Sequence, residues 1–272
     1  MSQVVPLADA HDDSIFGSKA VGLGEAARGG LPLPPGIALA GTLVEEVASG
    51  EEDAIRLVAE AAGGLPVPLA VRSSAVDEDG AHASFAGQHI TLLNIRTVEG
   101  VSDAVREIWW SANSDSAITY RQRVGLMRRP SVGVVVQSLL DPTVAGVMFT
   151  QNPINGSNER IIEASWGLGE AVVAAQVIPD TFRIAPSGEI LERTAGLKKI
   201  AIRARPDGGT FEDPVAPELI ETLCVNDEQL AELHALATRC ESLYGPGRDI
   251  EWAIADGSLY LLQCRAITRA GT

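Results

Sequence analysis

The segment from Asp249 to Arg265 carries two carboxylates, an amide and a guanidinium at spacings that one surface could collect. Ile250, Trp252 and Ile254 alternate with Asp249, Glu251 and Ala253; Tyr260, Leu262 and Cys264 alternate with Leu261, Gln263 and Arg265. Residues two apart share a face of a strand, so the pattern predicts a β-hairpin with an apolar and a polar side. The loop decides which side chains meet. A two-residue loop of Asp256 and Gly257 would put Glu251 and Gln263 on opposite sides. A three-residue loop, Ala255 to Gly257, pairs Ile254 with Ser258 and gathers Asp249, Glu251, Gln263 and Arg265 on one face. The apolar alternation favours the three-residue loop. Carboxylate and amide oxygens are hard ligands suited to a Mg²⁺ ion bridging phosphates, and arginine steadies phosphate charge. A solvated hairpin face is the alternative reading.

Cationic groups lie in the other half of the chain. Lys19, in Gly17-Ser-Lys-Ala-Val-Gly-Leu-Gly-Glu25, falls at a predicted helix start, where a helix N-terminus already attracts anions. The spacing is not that of a P-loop, and a solvated helix-start lysine fits the local pattern better. Arg72 ends an apolar strand in Val71-Arg-Ser-Ser74, followed by Asp77, Glu78 and Asp79 and then by Ser84-Phe-Ala-Gly-Gln88. Arg72 could grip phosphate oxygens or pair with the nearby acids; Gly87 would let backbone amides approach a phosphate, and Thr91 adds a hydroxyl. The small residues of Ser73 to Gly87 suit a mobile lid. Gln137 closes Val132-Gly-Val-Val-Val-Gln, next to Gly146-Val-Met-Phe-Thr150, a pair of strands able to line an adenine. Glu163 or Glu170, around the turn of Gly167-Leu-Gly169, could reach a ribose or a metal. His11, His82, His89 and His234 have no metal-ligand spacing, and no Gly-x-Ser-x-Gly elbow supports a hydrolase.

The elements expected to position these groups are helices near 18–27, 42–49, 51–62, 99–112, 115–126 and 227–244. Strands are expected near 37–40, 69–72, 88–94, 132–139, 144–150, 160–165, 181–185, 189–193 and 198–204. Helices and strands are segregated and do not alternate strictly, which predicts an α+β fold. Arg128-Arg-Pro130 reads as a junction, dividing the chain into 1–130 and 131–272.

At 272 residues the chain can bury a full core. A net charge of −15 argues against a nucleic-acid backbone or an anionic membrane as partner. Three cysteines without a CxxC pair, and the lack of a basic, apolar leader, suggest reduced thiols in a cytoplasmic protein.

Taken in order, Gly-Ser-Lys with Leu-Gly-Glu, Pro-Pro-Gly, Val-Arg-Ser-Ser, Ser-Phe-Ala-Gly-Gln, Ala-Gly-Val-Met-Phe-Thr with Asn-Pro, Gly-Leu-Gly-Glu with Pro-Asp, and Asp-Ile-Glu-Trp with Leu-Gln-Cys-Arg closely resemble one family. It is the N-terminal nucleotide-binding domain of phosphoenolpyruvate synthase, pyruvate phosphate dikinase and rifampin phosphotransferase. The resemblance spans about 14 to 269 and implies an ATP-grasp fold, two lobes with a nucleotide cleft between them. It implies that Lys19, Arg72, Gly87, Thr91 and Gln137 bind ATP, that Glu251 and Gln263 hold Mg²⁺, and that Arg265 acts on the phosphates. Lys19, Arg72 and Arg265 are then the catalytic cations and Asp249 a helper. In such enzymes ATP phosphorylates a histidine on a separate swivelling domain, leaving AMP and phosphate. The expected partner is therefore a histidine-carrying protein or domain, or a small acceptor. A non-catalytic nucleotide-binding regulatory module and an ATP-grasp carboxylate ligase are the alternatives.

Overall fold

A computed structural model describes residues 2–75, 90–115, 117–119 and 131–267. The chain divides into two compact units: 1–28, 34–139 and 206–209 form the first, and 29–33, 140–205 and 210–272 the second. Helices and antiparallel sheets are segregated within each, so the fold is α+β as expected.

The first unit is built on a five-stranded sheet. Its strands are β1 (Val4–Pro6), β2 (Gly36–Leu39), β3 (Leu69–Ala75), β4 (Thr91–Ile95) and β5 (Val132–Ser138), in the order β1-β2-β5-β3-β4. Alternation puts Val132, Val134 and Val136 on one face with Leu69, Val71 and Leu39. Three helices cover that face: α3 (Gly41–Ser49), α4 (Glu52–Ala62) and α5 (Val98–Ala112). Leu43, Val44, Val47, Val58, Val101, Val105 and Ile108 fill the layer, all fully or almost fully buried. Two further helices, α1 (Asp13–Phe16) and α2 (Ser18–Arg28), serve the other face, where α2 packs on β3 and β5.

The second unit carries a six-stranded sheet, β13-β12-β6-β7-β8-β9. Its members are β6 (Val144–Phe149), β7 (Arg160–Trp166), β8 (Asp180–Ile184), β9 (Ile190–Thr194), β12 (Arg248–Ala255) and β13 (Ser258–Ala266). A separate ribbon pairs β10 (Ile200–Ala204) with β11 (Thr210–Pro214). A short helix, α6 (Glu170–Val173), follows the glycine turn, and α7 (Asp227–Tyr244) packs on β12 and β13. The Asn226 side chain and Gln229 form a reciprocal capping box that starts α7, satisfying amides the first turn leaves open. Leu230, Leu233, Leu236, Ala237 and Cys240 form its buried stripe.

The structure departs from the sequence expectation at several points. β5 pairs with β2 and β3 in the first sheet, so the units divide at Leu139/Leu140 and not at 130/131. β3 extends through Ala75, into the segment read as a polar loop. β11 went unpredicted because Thr-Phe-Glu-Asp-Pro lacks apolar alternation. The rest of the lid segment, with Gly87 and His82, and most of the helix expected near 115–126 lie outside the described residues. Among the described residues no helix is long and apolar enough to cross a membrane.

Candidate functional site

In the first unit, register alone gathers the predicted binding residues. Arg72 stands opposite Thr91 on one side and Val135 on the other; Gln137 stands opposite Ala70 and Gly36. Directly opposed residues share a sheet face. Arg72, Thr91 and Gln137 therefore occupy the face away from α3, α4 and α5. Lys19 reaches the same region from the first turn of α2. Its Nζ donates to the Ser73 carbonyl at 2.9 Å, and only 6% of the residue is exposed. The helix start is fastened there by the Val-Arg-Ser-Ser motif: Ala20 N donates to Ser74 Oγ at 3.0 Å, a helix cap supplied by a neighbouring strand. Ser18 Oγ donates to the Ala75 carbonyl. Lys19 is thus a buried, oriented cation and not a solvated helix-start lysine. Gln137 is buried as well, its amide donating to the Pro34 carbonyl at 3.3 Å.

Gly17 is what allows this approach. Its φ is +80°, and a Cβ built there would lie 1.9 Å from the Ser74 carbonyl oxygen. Strained backbone and a collision with a strand both oppose a side chain. Gly17→Ala is expected to destabilise the protein by roughly 2–4 kcal/mol, read from urea midpoints, through overpacking plus left-handed strain. A loss below about 0.5 kcal/mol would mean that α2 is free to move away from β3.

In the second unit the hairpin reaches its polar face by a route the sequence reading did not favour. The loop is the two-residue one, with Asp256 at φ +49° and Gly257 at +71°, pairing Ala255 with Ser258. Both positive angles are those an Asp-Gly hairpin turn requires. That register pairs Trp252 with Leu261, and continued unbroken it would separate Glu251 from Gln263. A β-bulge between Glu251 and Trp252 intervenes, and beyond it Glu251 opposes Gln263 and Asp249 opposes Arg265. Leu262 is the extra residue. The expected three-residue loop is wrong, and the expected face is right because the bulge shifts the ladder by one. The apolar side changes membership: Leu261 is fully buried opposite Trp252, while Tyr260 shares the face of Glu251.

Arg265 Nε donates to Asp249 Oδ2 at 2.8 Å. Their side chains are 50% and 12% exposed, so the ion pair itself adds at most about 1 kcal/mol and serves mainly to aim the two groups. Burial pushes the Asp249 carboxyl up, partly offset by the Arg265 guanidinium beside it. Gln263 is buried and Glu251 half-buried. Register extends this row across the sheet, Glu251 opposing Val147, Val147 opposing Glu163 and Glu163 opposing Thr181. Glu163, one of two acids the sequence left open, therefore lies on the face of Glu251 and Gln263, and burial pushes its carboxyl up. The signal was present in the alternation of Ile162 and Ala164 around it, but only strand pairing shows which face that is. Glu170 is half-buried at the start of α6, raised by burial and held back by a hydrogen bond with Thr210. The glycine turn before it is structural: Gly167 has φ +78°, and Leu168 N donates to the Ile202 carbonyl at 2.9 Å.

Among the described residues, no group of three or more His, Cys, Asp or Glu could hold a metal by itself. The Glu251–Gln263 pair still fits Mg²⁺, which takes one or two protein oxygens and completes its shell with water and phosphate.

Residues 39–272 match the family model described as pyruvate phosphate dikinase, AMP/ATP-binding domain. A probable phosphoenolpyruvate synthase of Methanothermobacter thermautotrophicus is 36% identical over 96% of this chain and 45% of its own length. A rifampicin phosphotransferase of Bacillus cereus is 37% identical over 73% of this chain and 23% of its own. A phosphoenolpyruvate synthase of Pyrococcus furiosus is 36% identical, over 82% and 29% respectively. The chain thus spans less than half the length of the relatives it matches.

Proposed function

Since this chain belongs to the family of pyruvate phosphate dikinase AMP/ATP-binding domains, we propose that it is an ATP-grasp phosphotransferase module that passes a phosphoryl group from Mg-ATP to a histidine on a separate domain or protein. A small acceptor is the other destination. The observation that carries the reading is the bulged hairpin, which places two metal-type oxygens and an Asp-aimed arginine on one face. Glu251 and Gln263 hold Mg²⁺, which neutralises phosphate charge when bound. Lys19, Arg72, Thr91 and Gln137 bind the nucleotide, with Gly87 as an amide donor. Arg265, Lys19 and Arg72 stabilise the moving phosphoryl group; in such transfers positioning and charge neutralisation supply most of the acceleration.

Product analysis tests this. Incubation with Mg-ATP and a candidate histidine-carrying partner should yield AMP. ADP released only with a carboxylate would instead indicate a ligase, and tight binding with no product a regulatory module.

The raised Asp249 carboxyl sets a pH dependence. Asp249 aims Arg265 in its ionised form, and burial moves its protonation above the ordinary range near about 3.9. Asp249 therefore loses its charge, and its hold on Arg265, at milder acidity than an exposed carboxylate would. Mg-ATP affinity, titrated between about pH 8 and pH 5, should fall on acidification. Affinity flat across that range would show that Asp249 does not govern binding.

A further inference from the structure

Glu163 stands on the polar face of the second sheet, and the function proposed above gives it no task. Across the ladder it faces Val147 on β6 and Thr181 on β8. Among the described residues it has no ion-pair or hydrogen-bond partner, and burial is what pushes its carboxyl up. A half-buried carboxylate gives up hydration, and a protein normally returns it through a donor or a cation. Other acids of this unit follow that rule. Glu159 takes Asn152, Ser157 and Arg183; Asp180 takes Lys198 and two amides; Asp249 takes Arg265. Position completes the picture. Glu163 shares a row with Gln263 and Glu251, two strands from Glu251 and so roughly 10 Å away between backbones. The row on one side of it is closed: Ser165 is 1% exposed, and Gly169 at the start of α6 lies over Ala145, where a Cβ would come 3.7 Å from that of Ala145. The row on the other side carries Asp249, with Arg265 opposite.

We propose that Glu163 accepts hydrogen bonds from the ribose hydroxyls of the nucleotide and so selects ribonucleotides over their deoxy forms. This rests on the function proposed above, which puts the phosphates at Glu251, Gln263 and Arg265. The sugar of such a nucleotide lies beyond its phosphates, and Glu163 stands one apolar side chain, Val147, beyond Glu251 in the same row. A vicinal diol donates two O–H groups, and an ionised carboxylate is an acceptor with two oxygens, so one side chain meets both. A deoxy sugar would leave the charge desolvated with no donor, and that cost falls on the deoxynucleotide alone. A second metal ion fits less well: among the described residues no group of three or more His, Cys, Asp or Glu gathers there, and Val147 separates Glu163 from the next carboxylate of its row. Glu170, the other acid that the sequence left open, already has a hydrogen bond with Thr210 and stands on α6, off the row.

The test is calorimetric titration of the full chain with Mg-ATP and with Mg-2′,3′-dideoxy-ATP, which keeps the base and the phosphates. The parent should bind ATP about tenfold or more tightly, the scale of hydrogen bonds to a charged acceptor. Glu163→Ala should bind the two nucleotides alike, which assigns the preference to this side chain. Glu163→Gln keeps the volume and one acceptor oxygen. It should retain part of the preference, with a thermal midpoint no lower than the parent's, and it carries the test if the alanine variant unfolds. Glu170→Gln should keep the full preference. A parent that binds both nucleotides equally overturns the proposal, and so does a preference undiminished in the Glu163 variants. Equal loss for both nucleotides in Glu163→Ala overturns it as well, giving the residue to the metal or the phosphates. In those three cases the function proposed above stands. A parent that binds neither nucleotide removes that function and this inference together.

Discussion

Glu251→Ala and Arg265→Ala are each expected to abolish Mg-ATP turnover while the protein stays folded. Glu251 is half-buried on the polar face, opposite Gln263, and contributes no apolar packing to the core. On the proposed function its loss removes an anionic metal ligand, and removing one fixed electrostatic contact to a reacting centre typically costs about 10²–10³ in rate. Arg265 is half exposed and aimed by Asp249, so its removal leaves the sheet intact. An arginine that neutralises a phosphoryl group in flight is worth about 10³ or more. Glu251→Gln preserves volume and separates charge from shape: it should lose turnover nearly as fully, with a thermal midpoint close to that of the parent. The measurements are product formation beside thermal unfolding. Full turnover in both alanine variants would remove the hairpin from the site, and unfolding in Glu251→Gln would show that the residue is structural.

Asp180→Ala should cost about 3–5 kcal/mol of stability, the usual penalty for breaking a buried ion pair from one side. Asp180 and Lys198 are both fully buried and pair through Nζ and Oδ1. The same carboxylate accepts from Gly196 N at 2.7 Å and, through Oδ2, from Cys224 N at 2.7 Å. One side chain thus closes three connections between distant parts of the second unit. Its removal strands the Lys198 ammonium and two amides without water. Replacing both partners by apolar residues of similar volume, as in Asp180→Leu with Lys198→Met, should recover part of the loss. Urea midpoints at constant slope decide it. A loss below about 1 kcal/mol would mean that water reaches Lys198 in the variant.

The elements that carry the candidate site were legible because local pattern marks strands and helix starts. Lys19, Arg72, Thr91 and Gln137 fall in elements predicted within a few residues. What stayed hidden was partnership. The alternation in Val132-Gly-Val-Val-Val-Gln announces a strand, yet period-two patterning does not say which sheet it joins, and β5 proved to be the middle strand of the first. Ser74 read only as part of the Val-Arg-Ser-Ser motif, whereas it caps α2 across 54 residues of chain. Asp180 read as part of a motif, and its role depends on Lys198 and Cys224 arriving beside it.

By itself the sequence determined the family and the alternation of polar with apolar residues along each strand, because both are properties of local order in the chain. Tertiary structure alone decided where that alternation met a partner. Asp256-Gly257 imposed a two-residue turn, whose register by itself divides Glu251 from Gln263. Packing required Trp252 and Leu261 beneath α7, and the extra residue at Leu262 reconciled the two by shifting the ladder. A one-residue slip reverses every face of a strand, and its cost is set by what lies against the sheet, which no single strand's sequence contains.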